Sequence, residues 1–445
     1  MRSKDSLSLL WLALVAAFCL FSPLSAAYAQ TTVAKSSADV AAKAASAPPA
    51  EQPREKVDRS KAYFHAAMAN YYEEQAMSTG RPEFVSDAIE EFKNALNADP
   101  DSADLSNALA DLYMRTGQMS QAEATAKGLL KTHPDNIDAH KMLGRIYLRQ
   151  LGQSQNSVSS SSPSGNVLDK TIAEYEKIVA LEPKNVEDHM MLGQLYSVKH
   201  DTRKAEEQFK LAQSIEPDSE GVVLNLARLY AEADDMQHAV AVIQAVPEPD
   251  RTARMELALG AAYDQLKQTK DAIAAYKRAA DLEPDDVRTL GALAQALLND
   301  NQYEEALKAY RKLNEINPDD AGTLIHIAEI QRRMGKYQEA LDTTQKALKK
   351  DPDSLEGGFN EGLLLDVLGR YDEAAKVFAH MIDLTSHANG AYTDEEKNNR
   401  GIFLERLGSV YHEQNKVDLA IATYQKMIDL GGDLAVRGYQ GQVDT

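Results

Sequence analysis

The chain has 445 residues, of which 44% are hydrophobic and 26% are charged, as expected of a folded protein. Its formal net charge is −20, which disfavours binding to phosphate backbones and to anionic lipid surfaces. The length allows two or three ordinary domains.

The first residues have the pattern of a secretory signal peptide. A basic start precedes an apolar run over residues 9–21, and Ala27-Tyr28-Ala29 offers a small-residue cleavage site. We therefore expect export to remove residues 1–29 and to deliver the protein to the periplasm of a bacterium, with an uncleaved membrane anchor as the alternative. The only cysteine, Cys19, lies in this segment, so the mature chain is predicted to have no disulfide.

A linker is predicted over residues 30–58. This segment is rich in Ala, Ser, Pro and Lys and has no apolar periodicity. Such a composition is typical of a flexible tether rather than of a folded element.

From about Lys61 the chain repeats itself every 34 residues. If Pro284, Pro318 and Pro352 are numbered as position 32 of a repeat, small residues recur at positions 8, 20 and 27. Each repeat holds two apolar stripes at helical spacing, which predicts two antiparallel helices, the second ended by the proline. One such pair buries its apolar face only against neighbouring pairs, so the fold is predicted to be an all-α solenoid over residues 59–434.

This pattern resembles the tetratricopeptide repeat (TPR), most clearly in LALGAAYDQLKQTKDAIAAYKRAADLEPDD at 257–286. The resemblance covers most of residues 60–434 and implies a superhelical solenoid of about ten helix-turn-helix repeats. It also implies that the first helices line a concave groove in which positions 2, 5, 9, 12 and 13 meet peptide or protein partners.

Three departures from the repeat are informative. The third repeat carries about fifteen extra residues, 152–166, whose Ser-rich composition predicts a mobile loop. In the fifth repeat Pro247 and Pro249 are expected to end the second helix early. Thr393 with Glu396 three residues later predicts a capping box at the start of a helix.

The last residues, 435–445, begin another first helix without completing it. They are interpreted as an incomplete next repeat or a frayed end, since Gly438 and Gly441 weaken a helix this short. The alternative is that a further domain follows Thr445.

No catalytic, phosphate-binding or cofactor motif is present in the sequence, so no enzyme, cofactor or metal site is predicted. His140 and His189 both occupy position 4 of successive repeats. A shared metal or proton site is one interpretation of this match. The favoured interpretation is that the two histidines replace large core residues.

The groove positions implied by the TPR resemblance give a candidate binding surface. It combines a basic stripe on the third repeat with apolar, amide and basic groups on the next two repeats: Lys141, Arg145, Arg149, Met190, Gln194, Leu224 and Arg228. Such a surface would hold a carboxylate of a partner, and an ordinary solvated face is the alternative.

The function expected from these features is a scaffold that binds protein or peptide partners in the bacterial envelope. One alternative is the TPR portion of a larger enzyme, for example a glycosyltransferase, with its catalytic domain beyond Thr445. Another is a structural array whose copies stack end to end through the last repeat. The sequence leaves the partner and the oligomeric state open.

Overall fold

The computed structural model describes residues 57–155, 164–387 and 392–445. The predicted signal peptide and nearly all of the predicted linker lie outside these residues. The described residues form 21 α-helices and one short 3-10 helix, Glu248–Asp250, with no strand among them. The helices are α1 Arg59–Thr79, α2 Pro82–Ala98, α3 Ala103–Arg115, α4 Met119–Thr132, α5 Ile137–Gln155, α6 Ser164–Leu181, α7 Val186–Val198, α8 Thr202–Ile215, α9 Glu220–Glu232, α10 Met236–Gln244, α11 Ala253–Gln265, α12 Thr269–Leu282, α13 Val287–Asn299, α14 Tyr303–Ile316, α15 Ala321–Arg333, α16 Tyr337–Lys350, α17 Leu355–Val367, α18 Tyr371–Leu384, α19 Asp394–Glu413, α20 Val417–Asp429 and α21 Gly432–Asp444.

Consecutive helices pack as ten pairs, from α1 with α2 to α19 with α20, and α21 follows the last pair. In each pair the odd-numbered helix is the first helix of a repeat and the even-numbered helix is the second. The prediction of an all-α solenoid with about ten helix-turn-helix repeats is confirmed.

The chain divides into two compact units, one ending at Gln208 and one from Phe209 to Thr445. In the first unit, Phe92, Ile146 and Tyr147 belong to a continuous apolar core. In the second unit, two successive core clusters extend from α12 to α16 and from α16 to α21. Each unit is thus held together by a row of contacts between neighbouring helices.

The polar residues after each proline start the next helix. Asp286 accepts a hydrogen bond from the backbone N–H of Thr289 at 3.0 Å, and Asp320 accepts one from that of Thr323 at 3.2 Å. These carboxylates satisfy amide groups that have no partner inside the helix. The repeated sequence phrase therefore contains both the end of one repeat and the start of the next.

Small residues at position 8 bring the two helices of a repeat close together. In three repeats of the second unit the residue is glycine and faces an aromatic ring at position 24 of the same repeat: Gly260 with Tyr276, Gly362 with Phe378 and Gly408 with Tyr424. A Cβ atom on Gly260 would lie 2.4 Å from the Tyr276 ring. The glycine thus leaves room for the ring.

Two of the departures are confirmed and one is corrected. Helix α10 has only 9 residues and ends at Gln244, before the two prolines. Thr393 and Glu396 form the predicted capping box. The predicted bounds of the loop, 152–166, are wrong, because α5 continues to residue 155 and α6 already begins at residue 164. The residues that extend the two helices, 152–155 and 164–166, are polar or glycine, so no apolar stripe indicates the extension. The middle part of the insertion lies outside the described residues.

Three charged groups, one of them buried, replace the missing turn of α10. Glu256, on α11, is 1% exposed. One of its carboxylate oxygens lies 3.3 Å from Arg251 and the other lies 3.0 Å from Arg278. Arg251 also donates to the carbonyls of Gln244 and Val246, at 3.2 and 2.8 Å. The guanidinium of Arg251 therefore caps the shortened helix, and Glu256 compensates its charge.

Residues 432–444 form helix α21, which packs on α20 and α19. A Cβ atom on Gly438 would lie 2.9 Å from the carbonyl oxygen of Tyr424, and one on Gly441 would lie 2.5 Å from the Tyr424 ring. Glycine is a poor helix former, but at these two positions its lack of a side chain is what lets α21 lie close to α20. Among the described residues, no helix has the length and apolar character needed to cross a membrane.

Candidate functional site

The candidate binding surface of the first unit lies on its first helices. Residues at positions 5, 9 and 13 are four apart and therefore lie on one side of each helix. We call the set from three repeats the first-unit face: Asn107, Asp111 and Arg115 on α3; Lys141, Arg145 and Arg149 on α5; Met190, Gln194 and Val198 on α7.

Lys141 forms ion pairs with two acidic neighbours. Its ammonium nitrogen lies 2.5 Å from Glu182 and 3.9 Å from Asp188. The hydrogen bond to Glu182 raises the pKa of Lys141 and lowers that of Glu182. Burial raises the pKa of Asp188. Lys141 therefore links α5 to the start of α7.

The α3 part of the face is also paired internally. Arg115 donates to Glu73 on α1 at 2.9 Å and to Asp111 at 2.8 Å. Asn107 donates to Asp138, at the start of α5, at 3.3 Å. These side chains connect neighbouring first helices, so their hydrogen-bonding groups are engaged within the unit.

Arg145 and Arg149 are different. Both side chains are exposed, and neither has an ion pair with any residue that the structure describes. They are one helical turn apart, about 6 Å along α5. Each guanidinium has donors that match a carboxylate in a two-bond geometry. On the adjacent first helix α7, Met190 and Gln194 are half-buried, and the side chain of Gln194 already has an interaction.

The other two predicted surface residues belong to the second unit, on α9. Leu224 is half-buried. Arg228 donates to Asn225 at 2.7 Å and lies 3.9 Å from Glu232. The structure therefore brings five of the seven predicted residues together on neighbouring helices of one unit, and it places these two in the other unit.

The two position-4 histidines are core residues. His140 lies 2.6 Å from Glu174 and 2.9 Å from the carbonyl oxygen of Pro134. His189 makes the corresponding contacts with Gln208 at 2.8 Å and with Pro183 at 3.1 Å. Both rings are buried, and each connects the end of the preceding repeat to position 23 of its own repeat. Within the described ranges, no three potential ligands are grouped as a metal site would require.

Sequence reasoning missed the acidic partners on this face. Glu182 precedes the position-32 proline and Asp188 lies at position 3 of the next repeat. Both residues flank the junction between the third and fourth repeats, and this junction lies beside Lys141. Acidic residues near the repeat junctions are therefore the signal that could have found them. The intervening insertion separates Lys141 from Glu182 by 41 residues in the sequence.

Comparison with known proteins gives consistent family matches. Tetratricopeptide repeat models match residues 85–147, 327–391 and 404–437. The model described as anaphase-promoting complex, cyclosome, subunit 3 matches residues 265–347. None of the curated proteins matches this chain.

Several solved structures are similar to parts of the chain. The C-terminal part of a TPR repeat-containing protein from Cytophaga hutchinsonii is 16% identical over 56% of this chain and 98% of that chain, with a TM-score of 0.46. YrrB, described as a TPR protein with an unusual peptide-binding site, is 17% identical over 41% of this chain and 95% of its own, with a TM-score of 0.36. MamA MSR-1 C2 is 20% identical over 36% of this chain and 94% of its own, with a TM-score of 0.33.

Stacked helix-pair repeats present extended binding surfaces, and tetratricopeptide repeats serve in general as protein-interaction scaffolds. The family matches lie in both units; they reach from α2 to α5, from α15 to α18 and from α19 to α21. The chain is a tetratricopeptide repeat protein.

Proposed function

We propose that this protein is a periplasmic scaffold whose first-unit face binds an acidic peptide segment of a partner protein. The observation that carries the proposal is the pair Arg145 and Arg149. They are exposed on a face whose other basic groups, Arg115 and Lys141, are already paired. Carboxylates of the partner would meet the two guanidinium groups, and Met190 would pack against an apolar side chain.

The charge of the protein makes such a pair selective. In a chain of net charge −20, an acidic segment is repelled by most of the surface and attracted by Arg145 and Arg149, which have no ion pair among the described residues. Interactions of this kind set association rate and specificity, and they weaken as salt screens them. The periplasmic location is supported by the signal-peptide pattern of the first 29 residues.

The test compares reversal of the two arginines with a matched control. Labelled peptides that carry two carboxylates one to four residues apart are titrated against the protein by fluorescence anisotropy, beside the same peptides with amides in place of the carboxylates. The double variant Arg145→Glu, Arg149→Glu is expected to raise Kd at least tenfold, about 1.4 kcal/mol. The control Lys177→Glu, Arg203→Glu makes the same charge change on exposed positions of second helices, and it should change Kd less than twofold.

Lys141 is left intact in this design, because its reversal would break the contacts with Glu182 and Asp188. If the carboxylate peptides bind no better than the amide peptides, the acidic-ligand proposal is wrong. If both double variants weaken binding equally, the effect is one of net charge and the face is an ordinary solvated surface. Circular dichroism and Tm establish that the variants fold.

A further inference from the structure

The first helix of the first unit has an apolar side that no described helix covers. The exposed fractions are 73% for Tyr63, 61% for Phe64, 51% for Tyr71 and 71% for Met77. Scattered apolar side chains are normal on a protein surface, but three aromatic rings and a methionine on one helix are a concentrated patch. We call these four residues, with the exposed Ala67 between them, the α1 stripe.

Comparison with the other repeats shows what this stripe corresponds to. The numbering of α1 follows from Ala69, which is fully buried at position 8, so Phe64 and Tyr71 occupy positions 3 and 10. In the nine later repeats the position-10 residue is at most 6% exposed: Leu112, Ile146, Leu195, Leu229, Ala262, Ala296, Ile330, Leu364 and Val410. Only in the first repeat is this position open.

Position 3 shows which element covers this side of a first helix. A Cβ atom on Gly357, at position 3 of α17, would lie 2.9 Å from Leu348, on the preceding second helix α16. Positions 3 and 10 are seven residues apart and share one face of the helix. Phe64 and Tyr71 therefore have the place of residues at a repeat-to-repeat interface.

The charges of α1 are distributed unevenly along the helix. Arg59 is its first residue, and Glu74 lies near its other end; both are exposed. At 100° per residue Arg59 projects along the Met77 edge of the stripe, and Glu74 projects between Tyr63 and Ala67, in the same half of the stripe. Neither has an ion pair within the part of the chain that the structure describes.

We propose that α1 is a dimer interface on which a second copy of this chain packs its own α1 in antiparallel orientation. A two-fold axis between the two helices places the same edge of each stripe next to that edge of the partner's stripe, with the N-terminal end of one helix beside the C-terminal end of the other. Arg59 then meets the partner's Glu74 twice, and Phe64 lies opposite the partner's Tyr71. A parallel pair would place like charges together. The small Ala67 near the centre lets the two helices approach closely.

The size of the stripe indicates how stable this dimer is. With about 200 Å² for each large side chain, the exposed fractions give about 500 Å² per copy and about 1,000 Å² in total. This is the lower end of specific interfaces, so the dimer is reversible and its population depends on concentration. The helix α21 also exposes apolar residues, Val436, Tyr439 and Val443. Contact between α1 of one copy and α21 of another would join two different surfaces and build rings or open chains, which sedimentation distinguishes from a dimer.

Sedimentation equilibrium of the mature chain tests the proposal. We expect a monomer–dimer equilibrium without higher species. Tyr71→Glu should raise the dimer Kd at least a hundredfold, because it buries a carboxylate in the apolar stripe. The matched control Tyr439→Glu makes the same change on the exposed side of α21, and it should leave Kd unchanged within twofold.

Charge reversal tests the orientation. Arg59→Glu alone and Glu74→Arg alone should each raise Kd at least tenfold, since each variant opposes like charges at both ends of the dimer. An equal mixture of the two should form a heterodimer with a Kd near that of the unaltered protein, because opposite charges then meet at both ends. A monomer at every concentration, a loss of the dimer with Tyr439→Glu, or a mixture that associates no better than its components would each overturn the proposal.

Discussion

The substitution Glu256→Leu measures what the buried charged group at the shortened helix contributes. The corresponding position-4 residues in the next two repeats are Leu290 and Leu324, so the shape of leucine suits this position. What the substitution removes is the negative charge between Arg251 and Arg278.

The expected cost is about 3–5 kcal/mol, the usual cost of leaving a buried charge without its partner. The Arg251 side chain is 10% exposed, whereas that of Arg278 is 33% exposed. Most of the cost therefore comes from Arg251, which is also held by the carbonyls of Gln244 and Val246. Arg278→Ala should cost only about 1 kcal/mol, because water screens the more exposed guanidinium.

Hydrogen exchange followed by mass spectrometry is the suitable assay. Repeat proteins open locally, so a single melting temperature does not isolate one repeat. The amides of α10 and α11 should lose protection in Glu256→Leu, while those of α16 to α18 should change little. The double variant Glu256→Leu, Arg251→Met should recover more than half of the loss, since it removes both buried charges. A loss of less than 1 kcal/mol in the opening free energy of α10 and α11, or no recovery of that free energy in the double variant, would refute this account.

Two further predictions follow from the structure and one from the sequence. Gly260→Ala should destabilise the protein by about 1–2 kcal/mol because the new methyl group meets the Tyr276 ring. A Cβ atom at Gly291 has no atom within 4 Å, so Gly291→Ala should stabilise the protein by up to about 1 kcal/mol. Urea unfolding compares the two variants, and equal effects on the free energy of unfolding would contradict the packing argument. Burial raises the pKa of Tyr310 to about 12 from its ordinary value of 10.0, so its contribution to stability is complete below pH 10 and is lost as pH rises through 12; an ultraviolet titration in which every tyrosine ionises near pH 10 while the chain is folded would disprove it. N-terminal sequencing of the exported protein should begin at Gln30, and finding the intact start on a membrane-bound form would indicate an anchor.

The fold was predictable because its signals are local and repeated. Pro284, Pro318 and Pro352 mark the helix ends, and Pro247 correctly predicts the short α10. The ends of the insertion were mispredicted, since the flanking helices continue through polar residues and glycines at 152–155 and 164–166, which carry no apolar pattern that would indicate a helix.

The site was less predictable because pairing depends on distance in space. The sequence places Lys141, Arg145 and Arg149 on one side of α5, but it does not show that the first is bound by Glu182 and Asp188 and that the other two are free of ion pairs in the described structure. The open α1 stripe was also missed, because the sequence alone does not reveal which apolar positions lack a neighbour.

The contact between position 8 and position 24 has a consequence for how such a chain changes through recombination. Gly260 and Tyr276 lie in the same repeat, 16 residues apart, as do Gly408 and Tyr424. A duplication that copies a whole repeat therefore carries the glycine and its ring together and keeps their fit. A crossover between the two helices of a repeat separates them and can place a ring that is fitted to a glycine opposite an alanine from another repeat. Whole repeats, with boundaries near the proline, are therefore the units whose exchange preserves this contact.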